Sequence, residues 1–378
     1  MLAKVGNFFI SRLSRLSKRA RTTLKSFAIT ATIASVLVIV GVVAFNALTA
    51  PPVTQSTDPG PPPERSSSNT PRSSSTNSLP PEEEEEDCPW PTVIWPEWAT
   101  DDDRRENFWT FLIVGINNGT NANTIIVASY CANTHEAHLI SIPRDVPVNA
   151  TRNGRKFASS YMIGARNGGM TGGMAQMRTD VQSVIGFVPD FYVLFNYEMF
   201  ATVIDAVGGI YIDVPIRMRY DDPIDRLRID IEPGLQHMDG ITALHFSRFR
   251  QGNPGFPSLP YGDLDRVKNQ QEVIRAVIDR LLRVENLNPV RIAEFVGIFN
   301  DNVYTSLPYR NMPFFANQLR FIDGVDALHT HTLPTVGRTV GRESYQFLIE
   351  AEVVRILNET VNPFYSDLSA SDLRIVRN

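Results

Sequence analysis

The chain has 378 residues, 43% of them hydrophobic, and a formal net charge of −5. That length can hold one large or two ordinary domains, and the mild acidity excludes a general polyanion-binding surface of the kind that coats nucleic-acid proteins. Two cysteines and six histidines lack any paired metal-ligand spacing, which argues against zinc.

Residues 1–26 carry Lys4, Arg12, Arg15, Lys18, Arg19, Arg21 and Lys25 and no acid, and an uncharged apolar run follows over 27–48. A run of that length can span a bilayer. The preceding cations keep the amino terminus cytoplasmic and place all that follows outside, so the chain is expected in the cell membrane as a single-pass protein. A cleaved signal peptide is the rival reading; it is disfavoured because the run exceeds a signal h-region and Pro51-Pro52 follow the small-residue candidate site. Residues 49–106 read as a linker, first rich in Pro, Ser, Thr and Asn and then acidic over Glu82–Asp87, a composition that buries no core. Cys88 and Cys131 would both be extracytoplasmic, where a disulfide is allowed; a buried thiol plus a free one is the alternative.

Residues 107–363 are expected to form the folded domain, with 364–378 as a loosely ordered tail. Apolar runs at 108–115, 123–130 and 138–143 predict three closely spaced strands, and 144–145 place an Arg-Asp pair just past the third. Helix is predicted over 171–185, strand over 190–196, helix over 197–207 and strand over 210–214, with Gly208-Gly209 stopping the helix. The segment 244–250 reads as a strand on its alternation, which would send Arg248 and Arg250 to one face. A helix then starts with Asp263 as its N-cap, and helices recur at 289–299, 308–321 and 344–358, with an extended stretch at 328–334 containing His329 and His331. Strands alternating with helices give an α/β layered class.

Arg144 past a strand, Arg248 and Arg250, and Arg266 with Gln270 on one helix face suggest a phosphate or pyrophosphate pocket, because guanidiniums match phosphate oxygens bidentately. Taken singly, each arginine reads as a solvated surface charge. Lys156 follows on a loop, and Gly168-Gly169 and Gly172-Gly173 could allow close backbone approach to a ligand.

Ordered blocks then resemble a known family. Leu139-Ile140-Ser141-Ile142-Pro143-Arg144-Asp145, Phe191-Tyr192-Val193 with Asn196, Asp205-Ala206-Val207-Gly208-Gly209 with Asp213-Val214-Pro215, Gly240 to Leu244 leading into Arg248-Phe249-Arg250, and Gly262 to Val267 with Gln270-Gln271 are similar, in order and spacing, to the LytR-CpsA-Psr family. The resemblance covers about residues 108–284 and extends to about 363. It implies a central mixed sheet flanked by helices, with a groove for the polyprenyl chain of a lipid-linked carrier. The activity implied is a membrane-anchored phosphotransferase that moves a glycopolymer from polyprenyl pyrophosphate to peptidoglycan or another envelope acceptor. By position, Arg144, Lys156, Arg248, Arg250, Arg266 and Gln270 would grip the pyrophosphate, and Arg144, Asp263 and Arg266 would serve the chemistry.

The sequence departs from the family where magnesium would bind. The two expected aspartates are Asn117 and Asn123, in a shortened connection, and the family's Lys-x-Asn is Lys156-Phe157-Ala158. An amide offers oxygen without charge, so reduced magnesium affinity is expected. The alternative reading is therefore a catalytically weakened carrier-binding envelope protein or scaffold. Transcriptional regulation would need a cytoplasmic nucleic-acid surface, which the topology opposes.

Overall fold

A computed structural model of the chain describes residues 51–52, 96–117, 121–148, 155–223, 227–283 and 288–377. The basic tail, the apolar run at 27–48, most of the linker and Cys88 lie outside the described residues, and with them the expectations of an anchor and a disulfide. Among the described residues, no helix is long and apolar enough to cross a membrane.

Strand β1 (Phe108–Ile116) shows in its burial how the domain is layered. Its even positions, among them Leu112 and Val114, are fully buried, whereas Phe111, Ile113 and Gly115 are only half-buried. Successive side chains point to opposite faces, so one face meets a packed core and the other meets something more open. β1 pairs antiparallel with β2 (Ala122–Cys131) and parallel with β4 (Phe191–Phe195). β3 (Glu136–Ser141), β10 (Leu328–Thr332) and the short β9 (Tyr304–Thr305) complete a six-stranded mixed sheet in the order β10-β3-β2-β1-β4-β9. The expected central mixed sheet flanked by helices is therefore present.

The closed face carries α1 (Ser160–Ile185) and α7 (Glu350–Thr360), whose Met174, Met177, Val181, Val353 and Leu357 share one cluster with Leu112, Val114, Ile125 and Ile140. The open face carries α4 (Asp263–Leu282), whose Ile274 and Ile278 meet Ile113, Ile126 and Leu139. Polar residues fasten α4 there. Gln271 Nε2 donates to Ser141 Oγ (3.0 Å) and His331 O (2.9 Å), and Arg275 Nη1 donates to Leu328 O (2.8 Å). A neighbouring cluster joins α4 to α2 (Tyr197–Ala206), the paired strands β5 (Ile210–Val214) and β8 (Gly234–Met238), the hairpin β6 (Met218–Asp222) and β7 (Leu227–Ile231), and α3 (Gly240–Arg248). Beyond α4 lie α5 (Pro289–Asn302) and α6 (Met312–Gln318).

Several expectations need correction. Residues 240–248 form helix α3, not a strand: Asp239 Oδ1 accepts from the Thr242 amide (2.8 Å), and Ala243, Leu244, Phe246 and Ser247 bury at helical spacing. Gly262, not Asp263, caps α4. Strand β12 (Glu343–Leu348), paired with β11 (Thr335–Val340), occupies the first part of the expected 344–358 helix. Gly164, Gly172 and Gly173 of α1 pack against the protein itself, whereas a Cβ on Gly168 or Gly169 would meet nothing within 4 Å. The helix breaks at Gly169 (φ +56), and a Cβ on Gly164 would lie 2.1 Å from the Gly172 carbonyl oxygen, so they bring two helical arms into backbone contact. The tail is also firmer than expected, with Leu368, Leu373 and Ile375 buried in the main cluster and the Arg374 amide bonded to Ser183 O.

His138, on β3, stacks between His329 (4.8 Å) and His331 (5.9 Å) of β10, and its Nδ1 is buried without a hydrogen-bond partner among the described residues. Burial, aided by the neighbouring histidines, pulls its pKa down to about 4. The folded state thus favours the neutral ring while the unfolded chain takes up a proton near the ordinary value of about 6.5. Stability contributed by this group is complete above that value and declines as pH falls toward 4. His138→Phe should therefore flatten the fall in unfolding free energy between these limits, measured by urea titration, by roughly 1–3 kcal/mol relative to the parent; superimposable profiles would contradict this.

Candidate functional site

A cavity of about 610 Å³ occupies the open side of the sheet, between the carboxyl ends of β1 and β4, the start of β2, and helices α2, α3 and α4. Its two ends differ in chemistry, and α4 shows why. Arg266, Gln270, Val273, Ile274, Val277, Ile278 and Leu281 line the cavity at helical spacing, so one helix face passes from cationic to apolar over about 22 Å. Arg144, Arg248 and Arg250 line the same cavity as Arg266.

Asn123 organises the cationic end. Gly115 pairs with Thr124 and Ile116 with Ala122, so Asn123 is the extra residue of a β-bulge. The bulge lets Ala122 bury with the closed-face core while Thr124 faces the cavity. Arg144 Nη1 donates to Asn123 Oδ1 (2.7 Å), and Arg266 Nη2 approaches Asn123 O at 3.4 Å. Asn123 Nδ2 lies 3.5 Å from the Tyr197 hydroxyl, and the Arg248 guanidinium sits 4.4 Å above the Tyr197 ring. A neutral amide oxygen and an aromatic face thus help to set Arg144 and Arg248. Arg266 is only 6% exposed, so little water screens its charge.

The other sequence-derived candidates are placed as follows. Arg248 ends α3 and Arg250 follows two residues later, exposed at the rim, so both reach the cavity although they do not share a strand. Gln270 is one turn beyond Arg266. Lys156 is not part of the lining: its Nζ is 3.2 Å from Asp145 Oδ1 and 5.2 Å from the Tyr345 ring centre. Asp145 in turn lies 3.8 Å from Arg144 Nε, so Lys156 touches the site through that carboxylate. Asp263 is the first residue of α4, and its side chain lies outside the described residues. Sequence reasoning missed Tyr197, Ser247, Gln251 and the hairpin residues Tyr220 and Asp222, all in the lining. Tyr197 could have been found from its place directly after Asn196, which caps α2 by accepting from the Met199 amide.

Asn117 and Asn123 offer magnesium neutral amide oxygens in place of carboxylates, a weaker fit. Asn117 Oδ1 accepts from the Asn121 amide (2.7 Å) and Asn123 Oδ1 accepts from Arg144, so both amide oxygens are engaged by the protein. No group of three or more His, Cys, Asp or Glu suited to a metal occurs among the described residues, and magnesium favours carboxylates.

The profile of the LytR_cpsA_psr family matches residues 98–362. The chain belongs to that family. Within it, the chain is similar to Biofilm regulatory protein A of Streptococcus mutans, at 24% identity over 266 residues, covering 67% of this chain and 63% of that protein. It is also 24% identical over 221 residues to TagU of Bacillus licheniformis, a polyisoprenyl-teichoic acid–peptidoglycan teichoic acid transferase, covering 57% of this chain and 64% of that protein. The similarity thus spans less than two thirds of either relative. The LytR-CpsA-Psr fold is seen in the crystal structure of Bacillus subtilis TagV (TM-score 0.54, 20% identity, 68% of this chain and 96% of that one). It is seen again in TagT bound to LIIa-WTA (TM-score 0.55, 17% identity, 72% and 96%).

Two outcomes follow from this geometry. Arg144→Ala or Arg248→Ala should weaken inorganic pyrophosphate binding by roughly 1.5–3 kcal/mol, with an unchanged thermal transition, as read by calorimetry. Asn117→Asp combined with Asn123→Asp should raise magnesium affinity in the same instrument; an unchanged affinity would mean that these positions are not the family's metal positions.

Proposed function

We propose that this protein is a membrane-anchored extracytoplasmic phosphotransferase that moves a glycopolymer from a polyprenyl-pyrophosphate carrier to a cell-wall or envelope acceptor. The observation that carries this reading is the single cavity whose cationic end at Arg144, Arg248, Arg250 and Arg266 continues into an apolar channel along α4. An amphiphile with a doubly anionic head and a hydrocarbon tail matches both ends; a soluble nucleotide or sugar phosphate would leave the channel without a partner. The names of several relatives, transferases acting on polyisoprenyl-teichoic acid and peptidoglycan, support the same substrate class.

In this reading an acceptor hydroxyl attacks the phosphorus that bears the glycan. The bridging P–O bond breaks, one phosphate stays in the new linkage, and polyprenyl monophosphate leaves while the hydroxyl proton passes to solvent. Phosphoryl transfer needs chiefly alignment and neutralisation of charge that spreads over phosphate oxygens. Arg144 and Arg266, held beside Asn123, would stabilise the leaving phosphate at the head of the channel, and Arg248 and Arg250 would neutralise the phosphate that bears the glycan. Asp263 would hold or activate a group beside them, and Lys156 would act through Asp145. The apolar run at 27–48 would keep the site beside the membrane that supplies the carrier.

A carrier-binding protein without turnover is the second reading, and the engaged amide oxygens of Asn117 and Asn123 favour it. The deciding experiment supplies full-length protein with a polyprenyl-pyrophosphate sugar and an envelope acceptor, with and without magnesium, and measures released polyprenyl monophosphate. Release that falls at least about tenfold in Arg266→Ala is expected, since a charge-assisted hydrogen bond contributes that much. Tight binding with no release would establish the carrier-binding role instead.

A further inference from the structure

The arginines of the cavity share its lining with one carboxylate, that of Asp222, the only acidic side chain there among the described residues. Strand alternation brings it in. Met218, Tyr220 and Asp222 of β6 turn inward, with Met218 fully buried and the other two half-buried in the lining, while Arg219 and Asp221 are exposed. The strand is also pinned to the segment that follows Arg250. Asn253 Oδ1 accepts from the Asp221 amide (2.6 Å), and the Asn253 amide donates to Arg219 O (3.0 Å). Asn253 stands two residues beyond Gln251 of the lining, so β6 and the Arg250–Gln251 segment form one wall at the rim. On that wall the Tyr220 hydroxyl donates to Asp222 Oδ2 (3.1 Å), which restrains the plane of the carboxylate.

We propose that Asp222 is the group that takes the proton from the acceptor hydroxyl, and that the β6–β7 hairpin with the segment after Arg250 forms the acceptor side of the cavity. The proposal rests on the transferase reading. Electrostatics separate it from binding alone: a negative charge on the wall repels a diphosphate and lowers the field that the arginines supply, so a site that only held the carrier would be better without it. Transfer to a hydroxyl does call for such a group, because the attacking oxygen must lose its proton. The hydroxyl oxygen bonds to phosphorus with a lone pair, and the O–H pair stays on that oxygen as the proton moves to an Asp222 oxygen. The bridging P–O pair leaves with polyprenyl monophosphate, and Asp222 then returns the proton to solvent. Tyr220 is a positioning residue in this scheme, acting through the carboxylate that its hydroxyl holds.

The test supplies full-length protein with a polyprenyl-pyrophosphate sugar and an envelope acceptor, measures released polyprenyl monophosphate, and titrates inorganic pyrophosphate in parallel. Asp222→Asn should lower kcat about 100-fold or more, the usual contribution of a positioned base, with pyrophosphate affinity equal to the parent's or higher. That split between turnover and binding also reports that the variant is folded. Asp222→Ala should behave alike, and Asp222→Glu should recover part of the turnover. Tyr220→Phe should lower kcat less than Asp222→Asn does and leave pyrophosphate affinity unchanged. Parental turnover in Asp222→Asn, or a loss of pyrophosphate affinity in both the Asn and Ala variants that matches their loss of turnover, would overturn the role of Asp222. A parent that binds inorganic pyrophosphate but releases no polyprenyl monophosphate would instead overturn the transferase reading beneath it.

Discussion

The cationic end of the cavity depends on one irregularity in the sheet. Asn123 is the unpaired residue of the bulge between β1 and β2, and it holds Arg144 through its side chain while its carbonyl faces Arg266. Like charges repel, so guanidiniums from the β3 exit and the start of α4 converge only where the scaffold supplies compensating dipoles. Asparagine does this without adding a negative charge. An aspartate at the same place would pair with the arginines and compete with an anionic ligand, so the amide keeps the site's net field positive.

The rest of the domain sets the direction of the field and the channel. Gln271 and Arg275 fasten α4 across β3 and β10, and the opposite stripe of that helix is then fixed along the open face. Arg266 belongs to the first turn of α4, where the amino-terminal dipole adds to its charge, and the apolar residues follow along the same axis. The half-buried positions of β1 become intelligible in this arrangement: Ile113 and Gly115 face a cavity, not bulk solvent.

Much of the sheet was legible because its strands carry a two-residue period and Gly, Pro or Asn at their ends. Arg144, Arg248, Arg250, Arg266 and Gln270 were legible as an anion site, and they do line one cavity. The local reading of 244–250 failed because Arg248 and Arg250 stand two residues apart as on a strand, while the Asp239 cap and the buried positions 243, 244, 246 and 247 specify helix. Lys156 was misplaced because sequence cannot reveal that Asp145 intercepts it. The bulge at Asn123 and the stacking of Arg248 on Tyr197 arise from register and side-chain direction across elements distant in the chain, which no local pattern encodes. The hairpin residues Tyr220 and Asp222 were hidden for the same reason.

The last residues have a bearing on how the domain holds together. Leu368, Leu373 and Ile375 belong to the same buried cluster as β1, and Tyr365 bonds back to Asp103 at the domain's beginning. The two ends of the folded region are thus stitched to each other across the closed face, behind the sheet that carries the cavity. Force applied at either end of the folded region would load that seam before the cavity walls, so the arginines would keep their spacing.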